Sequence, residues 1–394
     1  MRILHTSDWH IGRRLGDFQL DEAQYKFFDH LVATVKSEKI DAVLVSGDIY
    51  DRQTPPLEAV EILNYALTKL SENCKVILTS GNHDSSRRLG FASELLERAN
   101  IFLRTSLKDL TRPIELDNGK KKVLVYGIPY LEPFTVASKL YGEDNAVEGA
   151  RRSHDLVIKK ALNLIKDHKD SQVHDHSIVM SHAWFTGADP DGSELDITIG
   201  GLGNVSTKHL SGFDYAALGH IHKPSDLEEH IRYSGSALPY SFGEKNLKKR
   251  TIIVDFSGAK PTYEEVLNPV FRELHQLEGS LSEFLNGSKF EKFKESFLKI
   301  NLTDMPEPPQ AMMQLKNGGF PYVVELRTVD AVGVVPDWHQ IEDLNEEELC
   351  CQFIQEVRKT DVTDWEKGRI QQAILESRKY EEGEVEVELE EQDS

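Results

Sequence analysis

Five short polar stretches within the first 222 residues carry side chains able to bind divalent cations or move protons. They are Asp8-Trp9-His10, Gly47-Asp48, Gly81-Asn82-His83-Asp84, Ser181-His182 and Gly219-His220-Ile221-His222. Their donors are carboxylate, carboxamide and imidazole, with no thiolate. Such a set suits divalent ions of intermediate hardness, Mn²⁺ first, with Zn²⁺ or Fe²⁺ fitting the same ligand types; Mg²⁺ prefers fewer imidazoles. Within Asp8/His10 and His220/His222 the spacing is two, which on extended backbone turns both side chains to one face, so each pair could grip one ion. Any one stretch alone reads as a structural histidine or a turn, and His5, His30, His154, His168, His174, His176, His209, His230, His275 and His339 read as ordinary. Five such stretches in sequence order are a poor coincidence.

Each stretch follows an apolar run of strand length: Ile3-Leu4-His5, Ala42 to Val45, Val76 to Leu78, Ile178 to Met180 and Tyr215 to Leu218. Val123 to Val125 is a further run. Between the early runs, Phe27/Phe28/Leu31/Val32/Val35 and Leu57/Val60/Leu63/Leu67/Leu70 repeat at helical spacing, and Pro55-Pro56 stands where a helix would open. The alternation predicts an α/β fold with covering helices. Sites in such folds form outside the carboxyl ends of strands, so five strand ends can converge on one pocket.

After residue 267 the texture changes. Phe284 to Leu298 reads as a charged helix and Tyr322 to Val329 as a strand, which predicts a small α+β domain. Asn345 with Glu348, and Thr363 with Glu366, have capping-box spacing and open two short amphipathic helices. The predicted organisation is 1–267 an α/β domain bearing the five polar stretches, 268–340 a small α+β domain, 341–380 a helix pair and 381–394 an acidic tail.

The 394 residues allow two to three folding units at ~150 residues each. Hydrophobic residues make up 39%, enough for proper cores, yet no run nears the ~18 apolar residues of a membrane span. Three cysteines, two of them adjacent, argue against a disulfide framework or thiolate metal site and for a reducing cytoplasm. No export signal is expected, since Met1-Arg2 leads straight into Ile3-Leu4 and a cleaved leader would remove Asp8 and His10. Net charge is −20, of which residues 381–394 supply eight acids and no Lys or Arg. That balance taken alone speaks against a large basic nucleic-acid surface. Divalent ions held by these stretches would nonetheless make the site locally positive, so an anion could bind there. Arg13, Arg14, Arg87 and Arg88 follow two of the ligand stretches, and Lys245, Lys248, Lys249 and Arg250 lie further on; these are the candidate backbone-phosphate contacts.

The four motifs Asp8-Trp9-His10, Gly47 to Asp51, Gly81 to Asp84 and Gly219 to His222 resemble the signature of the calcineurin-like metallophosphoesterases. The opening Met1 to Gly12 and the segment Tyr233-Ser-Gly-Ser-Ala-Leu-Pro-Tyr-Ser-Phe-Gly243 are similar to the SbcD group within that family, the nuclease subunits of bacterial SbcCD complexes. The resemblance implies a sandwich of two sheets flanked by helices. It implies one ion on Asp8, His10, Asp48 and His222 and a second on Asp48, Asn82, His182 and His220, with Asp48 bridging. Paired ions of this kind activate water against a phosphorus centre. His83 would then be the catalytic residue acting at the scissile phosphate, with Asp84 as the partner of its ring. Asp51 stands where other branches of the family carry a histidine, and functions credited to that histidine do not transfer.

By the same resemblance the chain would be a Mn²⁺-dependent DNA nuclease, a 3′–5′ exonuclease on duplex ends and an endonuclease on single strands or hairpins. Its partners would be DNA, the coiled-coil ATPase SbcC and a second copy of itself within a heterotetramer. It would serve DNA end processing, repair and recombination at the nucleoid. Two other functions stand beside this one: a small-molecule phosphodiesterase or phosphatase, because the centre does not name the substrate, and a non-catalytic scaffold, which retention of all seven ligands disfavours.

Overall fold

The computed structural model describes residues 1–142, 149–189, 203–304, 308–328, 350–351, 354 and 362–381. The chain divides into two compact units, Met1–Arg327 and Thr328–Ser394.

The first unit is built on two six-stranded sheets. In chain order the strands are β1 (Arg2–Thr6), a small hairpin β2 (Arg14–Leu15) and β3 (Phe18–Gln19), β4 (Ala42–Ser46), β5 (Lys75–Thr79), β6 (Ile101–Arg104), β7 (Ile114–Asp117) and β8 (Lys122–Ile128). Then follow β9 (His176–His182), β10 (Tyr215–Gly219), β11 (Ser225–Glu228), β12 (Ile231–Tyr233), β13 (Arg250–Asp255) and β14 (Thr262–Leu267). One sheet has the order β14-β13-β1-β4-β5-β6 and the other β11-β12-β10-β9-β8-β7. In the first, β1, β4, β5 and β6 run parallel; in the second, β8, β9, β10 and β12 do.

The strands read as continuous apolar runs because both faces of each sheet are covered. Ile3, Leu44 and Ile77 of the first sheet meet Val123, Ile178, Met180 and Ala217 of the second in a buried layer between the sheets. The alternate residues Leu4, Val43, Val45, Val76 and Leu78 face outward onto helices α1 (Asp21–Ser37) and α2 (Leu57–Ser71). The short α3 (Ser86–Leu89) and α4 (Ser93–Leu96) follow β5. On the other sheet, Leu124, Tyr126, Val179 and Leu218 pack under α5 (Pro133–Tyr141) and α6 (His154–Asp170). α2 starts directly after Pro56, as its fixed φ favours. Its Leu57 and Val60 are not core: they are 79% and 43% exposed.

The sheets are tied to each other at one rim. Ser46 Oγ donates to the Ala217 carbonyl at 2.9 Å, and the Ser46 carbonyl lies 2.9 Å from His182 Nδ1. His5 reads as ordinary and is so, bonded to Tyr215 Oη and the Leu218 carbonyl across the same seam.

Beyond β14 a three-stranded sheet, β15 (Leu274–Gly279), β16 (Phe297–Leu302) and β17 (Val323–Thr328), carries α7 (Leu281–Asn286) and α8 (Ala311–Asn317) on its own core of Phe284, Leu298, Ile300, Leu315 and Phe320. The expectation of one helix over Phe284–Leu298 is corrected here. α7 stops at Asn286, before Gly287 and Ser288, and Phe297, Leu298, Ile300 and Leu302 are buried in β16. Phe18 of β3 stacks against Phe297 and Tyr322, with centroids 5.5 and 6.0 Å away, and joins this sheet to the larger body.

In the second unit, α9 (Asp364–Glu381) opens on the predicted capping box, with Thr363 N–H donating to Glu366 Oε2 at 2.8 Å. The Asn345/Glu348 box, His339 and residues 382–394 lie outside the described residues.

Gly219 ends β10 where a Cβ would collide with the Ser46 carbonyl oxygen and stand 3.0 Å from His182 Nδ1. Gly219→Ala should therefore force the two sheets apart at the rim and cost about 3 kcal/mol or more. Urea denaturation of the variant checks this; unchanged stability would mean the rim tolerates separation.

Candidate metal centre

The five polar stretches converge at the tied rim. Asp8 and His10 follow β1, Asp48 follows β4, Asn82 and His83 follow β5, His182 ends β9, and His220 and His222 follow β10. Asp8, His10, Asp48, His182, His220 and His222 are all buried. Three clusters of ligand-type atoms, each within 4.8 Å, emerge: Asp8/His10/His222, His10/Asp48/His83 and Asp8/Asp48/His182. The two Nε2 atoms of His10 and His222 face each other at 3.0 Å. Asp48 Oδ2 lies 3.5 Å from His10 Nε2 and 3.3 Å from His182 Nε2, between the two groups. Asn82 Oδ1 is 3.0 Å from His182 Nε2 and 3.3 Å from His220 Nδ1.

The convergence is not made by strand alternation. Asp8, His10, Asp48 and His220 have φ of 51°, 43°, 48° and 100°, four of only eight non-glycine residues with positive φ among the described residues. Asp8 and His10 therefore reach one region through two left-handed kinks rather than through extended backbone, which corrects the expectation from spacing. Each such residue costs on the order of 1–3 kcal/mol and persists only where the surroundings over-determine it. Here they do. Asp8 N–H bonds the Gly47 carbonyl at 3.1 Å, and His10 N–H bonds the Asp48 carbonyl at 3.0 Å. The Asp8 carboxylate takes the His220 N–H at 3.0 Å. Gly47 and Gly81 leave the space: a Cβ at Gly47 would overlap the His182 ring, and one at Gly81 would overlap the Asp48 carboxylate.

The electrostatics favour cations. Burial raises the Asp8 carboxyl above its usual range. Burial acts the same way on Asp48, but the His182 ring beside it outweighs this and holds that carboxyl well below. Burial depresses His10 far below its ordinary value and His220 to about 3, so both rings are neutral with lone pairs available. His182 is the exception: burial alone would lower it, yet Asp48 brings it to about 9. Two buried carboxylates facing four imidazoles, with the Nε2 atoms of His10 and His222 aimed at each other, fit a divalent cation pair better than they fit an empty core.

His83 is half-buried at the mouth. Its N–H donates to Asp48 Oδ1 at 2.9 Å and its Nδ1 sits 2.8 Å from the Asp51 carbonyl. A carbonyl only accepts, so Nδ1 carries a proton, and the ring lies 4.8 Å from that of His10. The expectation that Asp84 partners this ring is corrected. Asp84 is buried and accepts three backbone N–H groups instead, from Ile49 at 3.0 Å, Tyr50 at 2.9 Å and Gly81 at 2.9 Å, pinning the two ligand loops together. Burial nonetheless raises its carboxyl to about 7.

Arg13 reaches the centre, with Nη1 3.3 Å from Asp51 Oδ1 and its guanidinium 5.3 Å from the Tyr240 ring centroid. Arg14 lies on β2 with its guanidinium on the Asp17 carbonyl. Arg87 and Arg88 are exposed on α3, and Arg88 bonds the Gln53 carbonyl at 3.3 Å. Lys249 and Arg250 are not phosphate contacts: both are buried, Lys249 against Glu244 and Arg250 against Glu265 and Asp226. A cleft of about 500 Å³ between Leu238 and Phe271 holds none of the ligand residues, and Glu244 and Lys249 are among those that line it.

Sequence reasoning missed several supporting groups. Gln24 of α1 holds the His10 carbonyl at 3.0 Å and the Gly12 N–H at 3.2 Å. Tyr240 bonds the Trp9 carbonyl and packs its ring 5.4 Å from His10. Tyr130 lies 6.4 Å from the His182 ring on the opposite flank, with His154 beside it. No motif marks Gln24 or Tyr130; their roles come from tertiary proximity.

The model of the calcineurin-like phosphoesterase family matches residues 1–224. The chain is similar to the SbcD nuclease subunit of SbcCD from Staphylococcus saprophyticus subsp. saprophyticus, 30% identical over 321 residues, which cover 80% of this chain and 82% of that protein. A crystal structure of the protein TT1561 from Thermus thermophilus is similar over 67% of this chain and 98% of its own, with 15% identity and a TM-score of 0.40. Among the described residues no helix is long and apolar enough to cross a membrane.

Asp84→Asn should cost about 1–3 kcal/mol, because an amide cannot accept all three N–H bonds. Chemical denaturation in the presence of a chelator measures this free of any metal effect. Wild-type stability would mean the loops do not depend on Asp84.

Proposed function

The chain belongs to the calcineurin-like phosphoesterase family and, within it, to the SbcD group of nuclease subunits, and from that premise we propose that it is a metal-dependent phosphodiesterase that cleaves DNA. The observation that carries this reading is the meeting of Asp8, His10, Asp48, Asn82, His182, His220 and His222 at one buried rim, with His83 beside them. One ion would rest on Asp8, His10, Asp48 and His222 and the other on Asp48, Asn82, His182 and His220. Mn²⁺ is the ion we propose for both. When bound, such a pair supplies a nucleophilic water at neutral pH and neutralises charge on the phosphate oxygens.

The chain's own residues do the rest. Asp48 spans both sets and orients His83 through its N–H. The Asp51 carbonyl accepts from His83 Nδ1–H, and in the imidazolium form Nε2 would carry the second proton, which it would give to the departing oxygen as general acid, leaving the neutral ring. Arg13 lies near enough to steer a backbone phosphate, and Arg14, Arg87 and Arg88 extend that contact along the strand.

The activity we propose is 3′–5′ exonuclease on duplex ends and endonuclease on single strands and hairpins, in DNA end processing, repair and recombination in the cytoplasm at the nucleoid. The partner is SbcC. The domain over 268–340 would cap and orient DNA, and the helix pair over 341–380 would anchor the ATPase. A second copy would dock through α2 and the segment after Asp84, where Leu57, Phe91 and Leu95 are 79%, 81% and 65% exposed.

Digestion of a hairpin-ended duplex with Mn²⁺, with and without the ATPase, tests the reading. Cleavage of cyclic nucleotides or phosphomonoesters with no attack on DNA would give the small-molecule reading instead. Asp48→Ala should lose both ions and all cleavage; if it left every activity unchanged, a scaffold role would win. His83→Ala should keep both ions by elemental analysis and lose about 100- to 10,000-fold in rate. Loss of the ions in that variant would make His83 structural. Deleting residues 341–394 should spare the melting of the remainder and weaken co-purification with SbcC; undiminished co-purification refutes the anchor.

A further inference from the structure

The Tyr233 to Gly243 segment and the residues just beyond it wrap the back of the His10/His222 half of the centre. Ser236 N–H donates to the His222 carbonyl at 3.1 Å, and Ala237 N–H to the Asp8 carbonyl at 3.3 Å. Tyr240 N–H donates to Glu244 Oε1 at 3.0 Å, and Ser236 Oγ lies 3.2 Å from Glu244 Oε2. Lys249 Nζ completes the group, donating to the His222 carbonyl at 2.8 Å, to Ser236 Oγ at 2.7 Å and to Glu244 Oε2. Glu244 is wholly buried and Lys249 is 6% exposed.

A buried ion pair of this kind adds little net stability over apolar residues of the same volume. Its retention beside a ligand asks for another reason, and the rings supply one. His222 Nε2 faces His10 Nε2, so Nε2 is the nitrogen aimed into the centre, while Nδ1 points back to Glu244 Oε1 at 3.8 Å. His10 repeats the pattern with Asp51: its Nδ1 lies 3.7 Å from Asp51 Oδ1 and has no hydrogen-bond partner. On the other side of Asp48, His182 Nδ1 bonds the neutral Ser46 carbonyl at 2.9 Å, and the carboxylate near it, Asp8 at 4.0 Å, is itself a ligand of the centre and not a supporting group behind the ring.

Building on the two-ion reading above, we infer that Glu244, clamped by Lys249, is a positioning residue that fixes the ring orientation and tautomer of His222 for the Asp8/His10/His222 ion. A carboxylate behind an imidazole holds the proton on the nitrogen that faces it, Nδ1 here, and makes Nε2 the stronger donor to an ion. Lys249 bonds both the Glu244 carboxylate and the His222 carbonyl, so ring and backbone are set by one buried pair. The effect is one-sided: it acts on one ion of the two.

The test is calorimetric titration of the metal-free protein with Mn²⁺, alongside thermal melting in chelator. Wild type should show two binding events. Glu244→Gln keeps the shape but loses the charge, and should weaken one event about 10- to 100-fold while leaving the other in place. Because Glu244→Gln leaves the Lys249 ammonium unpaired, the double variant Glu244→Gln/Lys249→Met serves beside it. It should regain melting temperature yet keep the selective metal defect. Wild-type affinities for both ions in Glu244→Gln, an equal loss in both events, or recovery of affinity in the double variant would overturn the inference. Failure of the wild type to bind two ions would overturn the two-ion reading itself.

Discussion

Two carboxylates, Asp8 and Asp48, are buried at the seam between two sheets, and nearly everything nearby answers to that fact. Charge in a low-dielectric interior must be paired, hydrogen-bonded or neutralised. Asp8 has the His220 N–H, Asp48 has the His83 N–H and the His182 ring, and four imidazoles surround the pair. These contacts orient the carboxylates without satisfying them. Bound cations remove the remaining cost, so the fold is arranged around charges it does not itself carry.

Holding ligands that close requires backbone conformations that no regular element offers. The kinks at Asp8, His10, Asp48 and His220 sit immediately past strands whose registers are fixed by burial on both faces. Strand pairing thus over-determines the loops that follow it, and Asp84 locks two of them together from behind. Gly47, Gly81 and Gly219 are the spatial counterpart: each is where a neighbouring loop's ligand or carbonyl occupies the place of a Cβ. Strain and tight approach are concentrated at the centre, while the sheets and α1, α2 and α6 behave as an ordinary packed body that bears their cost.

The centre also has a front and a back. His83, Arg13 and the exposed α3 arginines face outward, where a phosphodiester would arrive. Gln24, Tyr240, Glu244 and Lys249 face inward and hold backbone carbonyls of the ligand loops or the ring of His222. The acidic whole-chain charge is no obstacle to this arrangement, because recognition of an anion depends on the local field.

Residue types and order along the chain determined a good deal. The α/β class, the strand-end location of all five ligand stretches and the helices over Phe27–Val35 and Leu57–Leu70 were legible because apolar periodicity and ligand chemistry are local properties. The Phe284–Leu298 misreading arose because a charged, apolar-spaced stretch fits a helix until sheet burial claims Phe297 and Leu298. What only the tertiary structure decided is who faces whom. Asp84 and Asp51 are both carboxylates a few residues from ligands, yet one caps backbone N–H groups and the other lends its carbonyl to His83. Lys249 belongs by sequence to a basic cluster and by structure to a buried pair behind His222. Such roles depend on distances between segments far apart along the chain, and those distances are set by packing between sheets, which one strand's pattern does not contain.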